Sequence, residues 1–271
     1  MKTLIIVSGE TAAGIKKRNV TNRIIDVKER FLNFFMSSAI FETASRQNRK
    51  DIKMKKNKIK EFVPGIMFTA AFAVWTALIQ IIDVQPVGQN GTNIGFAAFN
   101  CRFHQLTGVH MAIYTITDWL DLVPIAVCMV FGGIGLVQWI RRRNLLKVDH
   151  DLMILGIYYM IVIFCYLIFE MIPINYRPIP IDGHMEASYP SSTTLLVLSV
   201  MPTLIEQAVR RISNKQMKQI ITIFAILFSL FMVFGRLIAG VHWFTDIVGS
   251  VLLSTGLFLL YKASVPLCIN E

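Results

Sequence analysis

Charged residues are scarce in this chain, 16% of 271, and histidines number only five. With 54% hydrophobic residues and a mean hydropathy of +0.56, that scarcity excludes an ordinary soluble domain. Cysteine is equally sparse, with four residues in all. Cys128 and Cys165 fall inside apolar runs, Cys268 lies near the end, and Cys101 stands alone in its segment, so neither a disulfide framework nor a paired-cysteine metal site is available. The net charge of +10 comes without the aromatic-interleaved basic module that reads nucleic acid. No nucleic-acid partner is expected, and the charge belongs to topology and anionic lipid headgroups. Gly9 to Gly14 superficially matches a phosphate-binding loop, but Ile15 stands where the lysine should follow, which removes nucleotide binding.

What the chain does have is long apolar runs. Six windows reach the length of about 20 residues needed to cross a bilayer core: 62–83, 119–140, 151–172, 191–209, 219–239 and 243–264. These predict an all-α fold, a six-span transmembrane helical bundle, over residues 62–265. Lys and Arg gather before the first span, after the second (Arg141, Arg142, Arg143, Lys147) and after the fourth (Arg210, Arg211, Lys215, Lys218). By the positive-inside rule these segments and both termini are cytoplasmic, in a plasma-membrane protein. Residues 1–61 form a basic cytoplasmic tail, and 266–271 a short one. Within the first tail, Ile24, Val27, Phe31, Phe34 and Phe35 recur at helical spacing, which suggests a helix lying on the inner membrane surface. An extension without that structure is the alternative.

The segment from Asp83 to Asp118 is long for a connection and reads as a lid. Its His104 and His110 lack an intervening carboxylate and read as surface residues rather than metal ligands. Polar groups otherwise gather at the non-cytoplasmic ends of spans three to six, an arrangement that speaks against a transport path through the bundle centre. Three clusters stand there: "NYRPIP" with Arg177, "YPSSTT" with Ser191 to Thr194, and "GRLIAGVHWFTD" with Arg236, His242 and Asp246. Ionisable groups at a membrane are costly and mark functional sites. His242 and Asp246, four apart, share one helix face. The carboxylate can orient the imidazole and leave its other nitrogen free to attack an electrophile. Arg177 and Arg236 carry planar forks suited to phosphate oxygens. The hydroxyl run opens a helix, where free N–H groups favour an anion; plain helix capping is the simpler role for it.

The order and spacing of these clusters resemble the type-2 phosphatidic acid phosphatase and haloperoxidase superfamily, whose motifs run K-x6-R-P, P-S-G-H and S-R-x5-H-x3-D. Arg177-Pro178, Pro190-Ser191 and Arg236-x5-His242-x3-Asp246 match. The resemblance implies a membrane phosphohydrolase acting on a lipid phosphate or polyprenyl diphosphate without metal or other cofactor. His242 would be the nucleophile forming a phosphohistidine and Asp246 its partner. Arg177, Arg236, Ser191, Ser192 and Thr193 would hold the phosphate.

This chain departs from the pattern at Glu170, in the lysine position, at Ser192 and Thr193, in place of glycine and histidine, and at Gly235, in place of serine. The motif-two histidine protonates the leaving group in the family, and a threonine hydroxyl does not titrate near neutral pH. Glu170 and His184 are the candidate substitutes. An alkoxide needs that proton far more than a phosphate leaving group, whose second ionisation lies at about 6 for a monoester, so a diphosphate is the expected substrate. A catalytically inactive relative that binds lipid phosphate headgroups is the alternative.

Overall fold

The computed structural model describes residues 59–269; the N-terminal tail and its expected surface helix lie outside the described residues. Among the described residues eight helices follow one another. They are α1 (Ile59–Ile79), α2 (Ala97–Thr107), α3 (Met111–Leu120), α4 (Leu122–Arg142), α5 (His150–Met171), α6 (Ser192–Arg211), α7 (Lys215–Ile238) and α8 (Phe244–Ile269). Six stretches are long and apolar enough to cross a membrane, with α3 and α4 together forming one of them. The chain is an all-α, six-span integral membrane bundle.

Local sequence sets the breaks. Pro124 has no N–H to give the carbonyl of Leu120, and its ring crowds that carbonyl, so α3 stops at Leu120 and α4 restarts at Leu122 with Asp121 between them. The side chain of Asn214 accepts from the backbone N–H groups of Gln216 and Met217 and starts α7. Arg141 and Arg142 close α4, and Arg210 and Arg211 close α6, where cations suit the negative end of the helix dipole.

Helices α6 and α8 are the centre of the bundle. In each, 56% of the apolar window is buried, against 17% for α1 and 11% for α3–α4. One core gathers Leu152, Leu155 and Tyr158 of α5, Leu195 of α6 and Leu253 and Leu257 of α8. A second joins Val197 and Met201 of α6 to Phe228 and Met232 of α7. Polar residues are not confined to the helix ends, as the sequence suggested. Ser199, Thr203, Gln207 and Arg211 line one face of α6 at four-residue intervals. The hydroxyl of Tyr158 donates to the Ser199 carbonyl at 3.0 Å, Tyr159 and Thr203 share a 2.7 Å bond, and Gln207 donates to Tyr261 at 3.4 Å. These bonds tie α5, α6 and α8 together where no water competes for the groups.

One end of the bundle is basic. Arg142 lies 2.9 Å from Asp149, and Arg211 lies 3.3 Å from Asp149 and 2.7 Å from Asp151. The ends of α4 and α6 therefore meet the start of α5. The opposite end, where α5, α7 and the α5–α6 loop finish and α6 and α8 begin, carries the three clusters.

Candidate active site

The loop between α5 and α6 folds back on itself as an irregular hairpin. Asp182 and Gly183 adopt left-handed backbone, with φ of 49° and 77°, the geometry that turns a chain tightly. The N–H of Arg177 donates to Glu186 at 3.1 Å and that of Ser188 donates to Asn175 at 2.9 Å. The pairing brings Asn175, Arg177 and Ser188 to the entrance of α6.

The turn between α7 and α8 supplies the histidine. Gly240 has φ of +72°, and a Cβ there would lie 2.1 Å from the Gly108 carbonyl oxygen, so only glycine fits. The segment read as a lid clasps this turn: the His110 N–H donates to Ala239 at 3.0 Å, and His104 Nε2 sits 3.0 Å from the Gly240 carbonyl. His110 Nε2 is 2.9 Å from the Thr107 carbonyl. Both rings are engaged by backbone.

His242 is 3% exposed. Its Nδ1 donates to the Ser188 carbonyl at 3.1 Å, and Nε2 is buried with no partner among the described residues. Burial first, then the charges of Arg177 and Arg236, hold the ring well below the usual imidazole pKa, and the Ser188 bond opposes them only in part. A neutral ring with its Nδ1 proton fixed on a carbonyl presents a free lone pair at Nε2. Asp246 Oδ2 lies 3.8 Å from Nδ1, beyond a hydrogen bond. The carboxylate instead accepts from Asn175 Nδ2 and the Trp243 N–H, both at 3.0 Å. It fixes the turn around His242, while Ser188 fixes the ring.

Arg177 and Arg236 are 7% and 1% exposed. Their guanidinium carbons lie 5.9 and 5.0 Å from the centre of the same ring, Tyr114, and both act on His242 through their charge. Arg177 Nε is 2.9 Å from Glu186, and its NH1 is buried without a partner. Arg236 NH1 is 3.4 Å from Thr117 Oγ1 and 3.7 Å from Asp118, and its Nε has no partner. Unpaired N–H groups on buried cations are expensive to leave unmet, and the charges of both cations reach His242. Gly235, in the position where the resembled motif has serine, packs against Thr117, whose Cγ2 would be 2.8 Å from a Cβ.

The hydroxyl run divides. Ser191 precedes α6 but makes no capping bond; its hydroxyl donates to Thr194 at 3.1 Å, and its N–H bonds the Asp246 carbonyl at 3.3 Å. Thr193 donates to Asp121, and Ser192 is half-buried beside it. Glu170 is exposed on the last turn of α5, and His184 is exposed beside the hairpin turn. The structure therefore brings Arg177, Arg236, His242 and Asp246 together, and among the described residues His184 makes only backbone bonds, to Ile181 across the hairpin turn. Asn175, Ser188, Tyr114 and Asp121 are neighbours that sequence reasoning did not single out. Asn175 stood inside the quoted "NYRPIP" but carried no spacing signal.

At one end of this membrane bundle a buried imidazole stands within the charge of two buried guanidiniums. Residues 156–269 match the family model of the PAP2 superfamily, a stretch that includes Arg177, Ser191, Arg236, His242 and Asp246. The chain is similar to a solved structure from Bacillus subtilis, described as its first transmembrane PAP2 type phosphatidylglycerolphosphate phosphatase. The identity is 18%, the coverage 76% of this chain and 97% of that one, and the TM-score 0.45. No curated protein matches.

Proposed function

We propose that the chain is a membrane phosphohydrolase that cleaves a lipid phosphate or diphosphate through a phosphohistidine on His242. The observation that carries this reading is the unpartnered Nε2 of His242, buried within the charge of Arg177 and Arg236, whose own N–H groups are partly unpaired. Arg177 and Arg236 hold the phosphoryl oxygens and neutralise charge as it builds in the transition state. Nε2 attacks phosphorus, and the Nδ1 proton stays on the ring, donated in a hydrogen bond to the Ser188 carbonyl throughout. Water then releases inorganic phosphate. Ser192 stands half-buried at the start of α6, and Ser191 is buried there with its hydroxyl on Thr194. The site end lies opposite the basic end formed by Arg142 and Arg211, and the positive-inside rule assigns it to the non-cytoplasmic face of the plasma membrane, with both termini cytoplasmic.

Thr193 in place of the motif-two histidine favours a second reading, a phosphate-headgroup binder without turnover. Phosphate release by purified protein from a polyprenyl diphosphate and a phosphatidate, with His242→Ala as control, decides between them. Release that vanishes in the variant supports hydrolysis. Folded protein that binds both lipids and releases phosphate from neither supports the binder.

A further inference from the structure

The reaction proposed above leaves one need unmet, a proton for the departing oxygen. Thr193 stands where the resembled motif has its proton-donating histidine, and its hydroxyl is not free: it donates to Oδ2 of Asp121. The other oxygen, Oδ1, is buried and without a partner. Asp121 reaches this place because Pro124 breaks the second span and leaves Asp121 at the joint between α3 and α4. The charges of Arg236 and Asp118 both reach it. Its carboxyl is thus bonded to the start of α6 through Thr193 and lies within the charge of Arg236.

The third neighbour is a cavity of about 530 Å³ between α4, α5 and α6, within the 300–1,000 Å³ typical of ligand sites. Ile125, Met129, Val162, Ile163 and Leu196 supply apolar wall, and Asp121, Ser192 and Thr193 line it too. A hydrocarbon chain lying there and a phosphoryl group between Arg177 and Arg236 would put the bond joining them near Asp121.

We propose that Asp121, held by Thr193, is the catalytic proton donor to the leaving group, in place of the absent histidine. It rests on the hydrolytic reading of His242. In the first step Nε2 forms a bond to phosphorus, the P–O bond to the lipid breaks, and its electron pair goes to the leaving oxygen. That oxygen takes the proton from the Asp121 carboxyl, giving a lipid alcohol or lipid monophosphate. In the second step Asp121 carboxylate takes a proton from the water that attacks phosphorus, the P–N bond breaks, and phosphate leaves with His242 and protonated Asp121 restored. Glu170 and His184 are then not needed for this role.

The test compares full-length protein and Asp121→Asn, purified in detergent, on an alkyl phosphate and a nitrophenyl phosphate of the same chain length. Loss of a general acid slows the alkyl ester by about 100- to 10,000-fold, whereas the nitrophenyl ester, whose leaving oxygen needs no proton, slows far less. Adding Thr193→His to Asp121→Asn restores part of the alkyl activity. If Asp121→Asn slows both esters equally, or neither, the proposal fails while the phosphohydrolase reading stands. If wild-type protein releases phosphate from neither ester and from no polyprenyl diphosphate, both fail together. Thr193→Val, which removes the hydroxyl that holds Asp121, carries the test if Asp121→Asn does not fold. It lowers the alkyl-to-nitrophenyl rate ratio, and an unchanged ratio overturns the proposal.

Discussion

Ser188 holds His242 by its backbone carbonyl, 3.1 Å from Nδ1. A side-chain substitution at 188 cannot remove that acceptor, so ring orientation depends on the hairpin's backbone. The arrangement also has a pH signature. A histidine buried neutral binds its proton only after unfolding when the pH falls below the ordinary value of about 6.5, so stability is intact above that value and declines below it. The slope approaches about 1.4 kcal/mol per pH unit for the one proton involved. Melting temperatures of wild type and His242→Gln, measured from pH 7.5 to 5, should diverge in that direction, with the wild type losing more. Parallel curves would show that the ring is not held neutral.

Asp246 accepts from two donors that nothing else satisfies in the structure, the Trp243 N–H and Asn175 Nδ2. Asp246→Ala should cost about 1–3 kcal/mol for each donor left unpaired, read as a fall in unfolding midpoint that accompanies the loss of activity. Lost activity at unchanged stability would instead make the carboxylate a direct partner of the ring.

Arg236→Lys keeps the charge and removes the fork. A lysine presents a point charge to phosphate oxygens and does not reproduce the flat face that lies on Tyr114. Phosphate release should fall by about 100-fold or more, the scale of losing one donor to a developing oxyanion. Near-wild-type turnover from Arg236→Lys would show that charge alone is sufficient.

Orientation is testable with one cysteine at each end of the bundle. Asn90 and Ser213 are both exposed. Introduced into a protein without its native cysteines, Asn90→Cys should react with an impermeant maleimide on intact cells and Ser213→Cys should not. The reverse pattern would put the site on the cytoplasmic face.

The six spans were legible because crossing a membrane leaves a signal in every window of 20 residues. Arg236, His242 and Asp246 were legible because they lie within eleven residues and their spacing is set by one turn and the start of one helix. The rest of the site is tertiary. Asn175 meets Asp246 across 71 positions, and Ser188 meets His242 across 54; neither pairing leaves a periodic trace. Asp121 was hidden for a different reason. It sat inside an apolar run read as one uninterrupted span, and only the break caused by Pro124 turns it into a joint facing α6. The hydroxyl run was read as one phosphate cradle, but packing against α3–α4 and α8 gives Ser191 and Thr193 different partners.

The turn that carries His242 is gripped from outside the region that resembles PAP2 proteins. His104 and His110 bond the backbone at Gly240 and Ala239, and Tyr114 supports both arginines, yet the family match begins only at residue 156. A fragment cut to the matched stretch would keep every motif residue and lose the scaffold that aims them. The inheritable unit of this site is therefore longer than its motifs, and change in the upstream connection between α1 and α4 would retune the chemistry without touching one motif position.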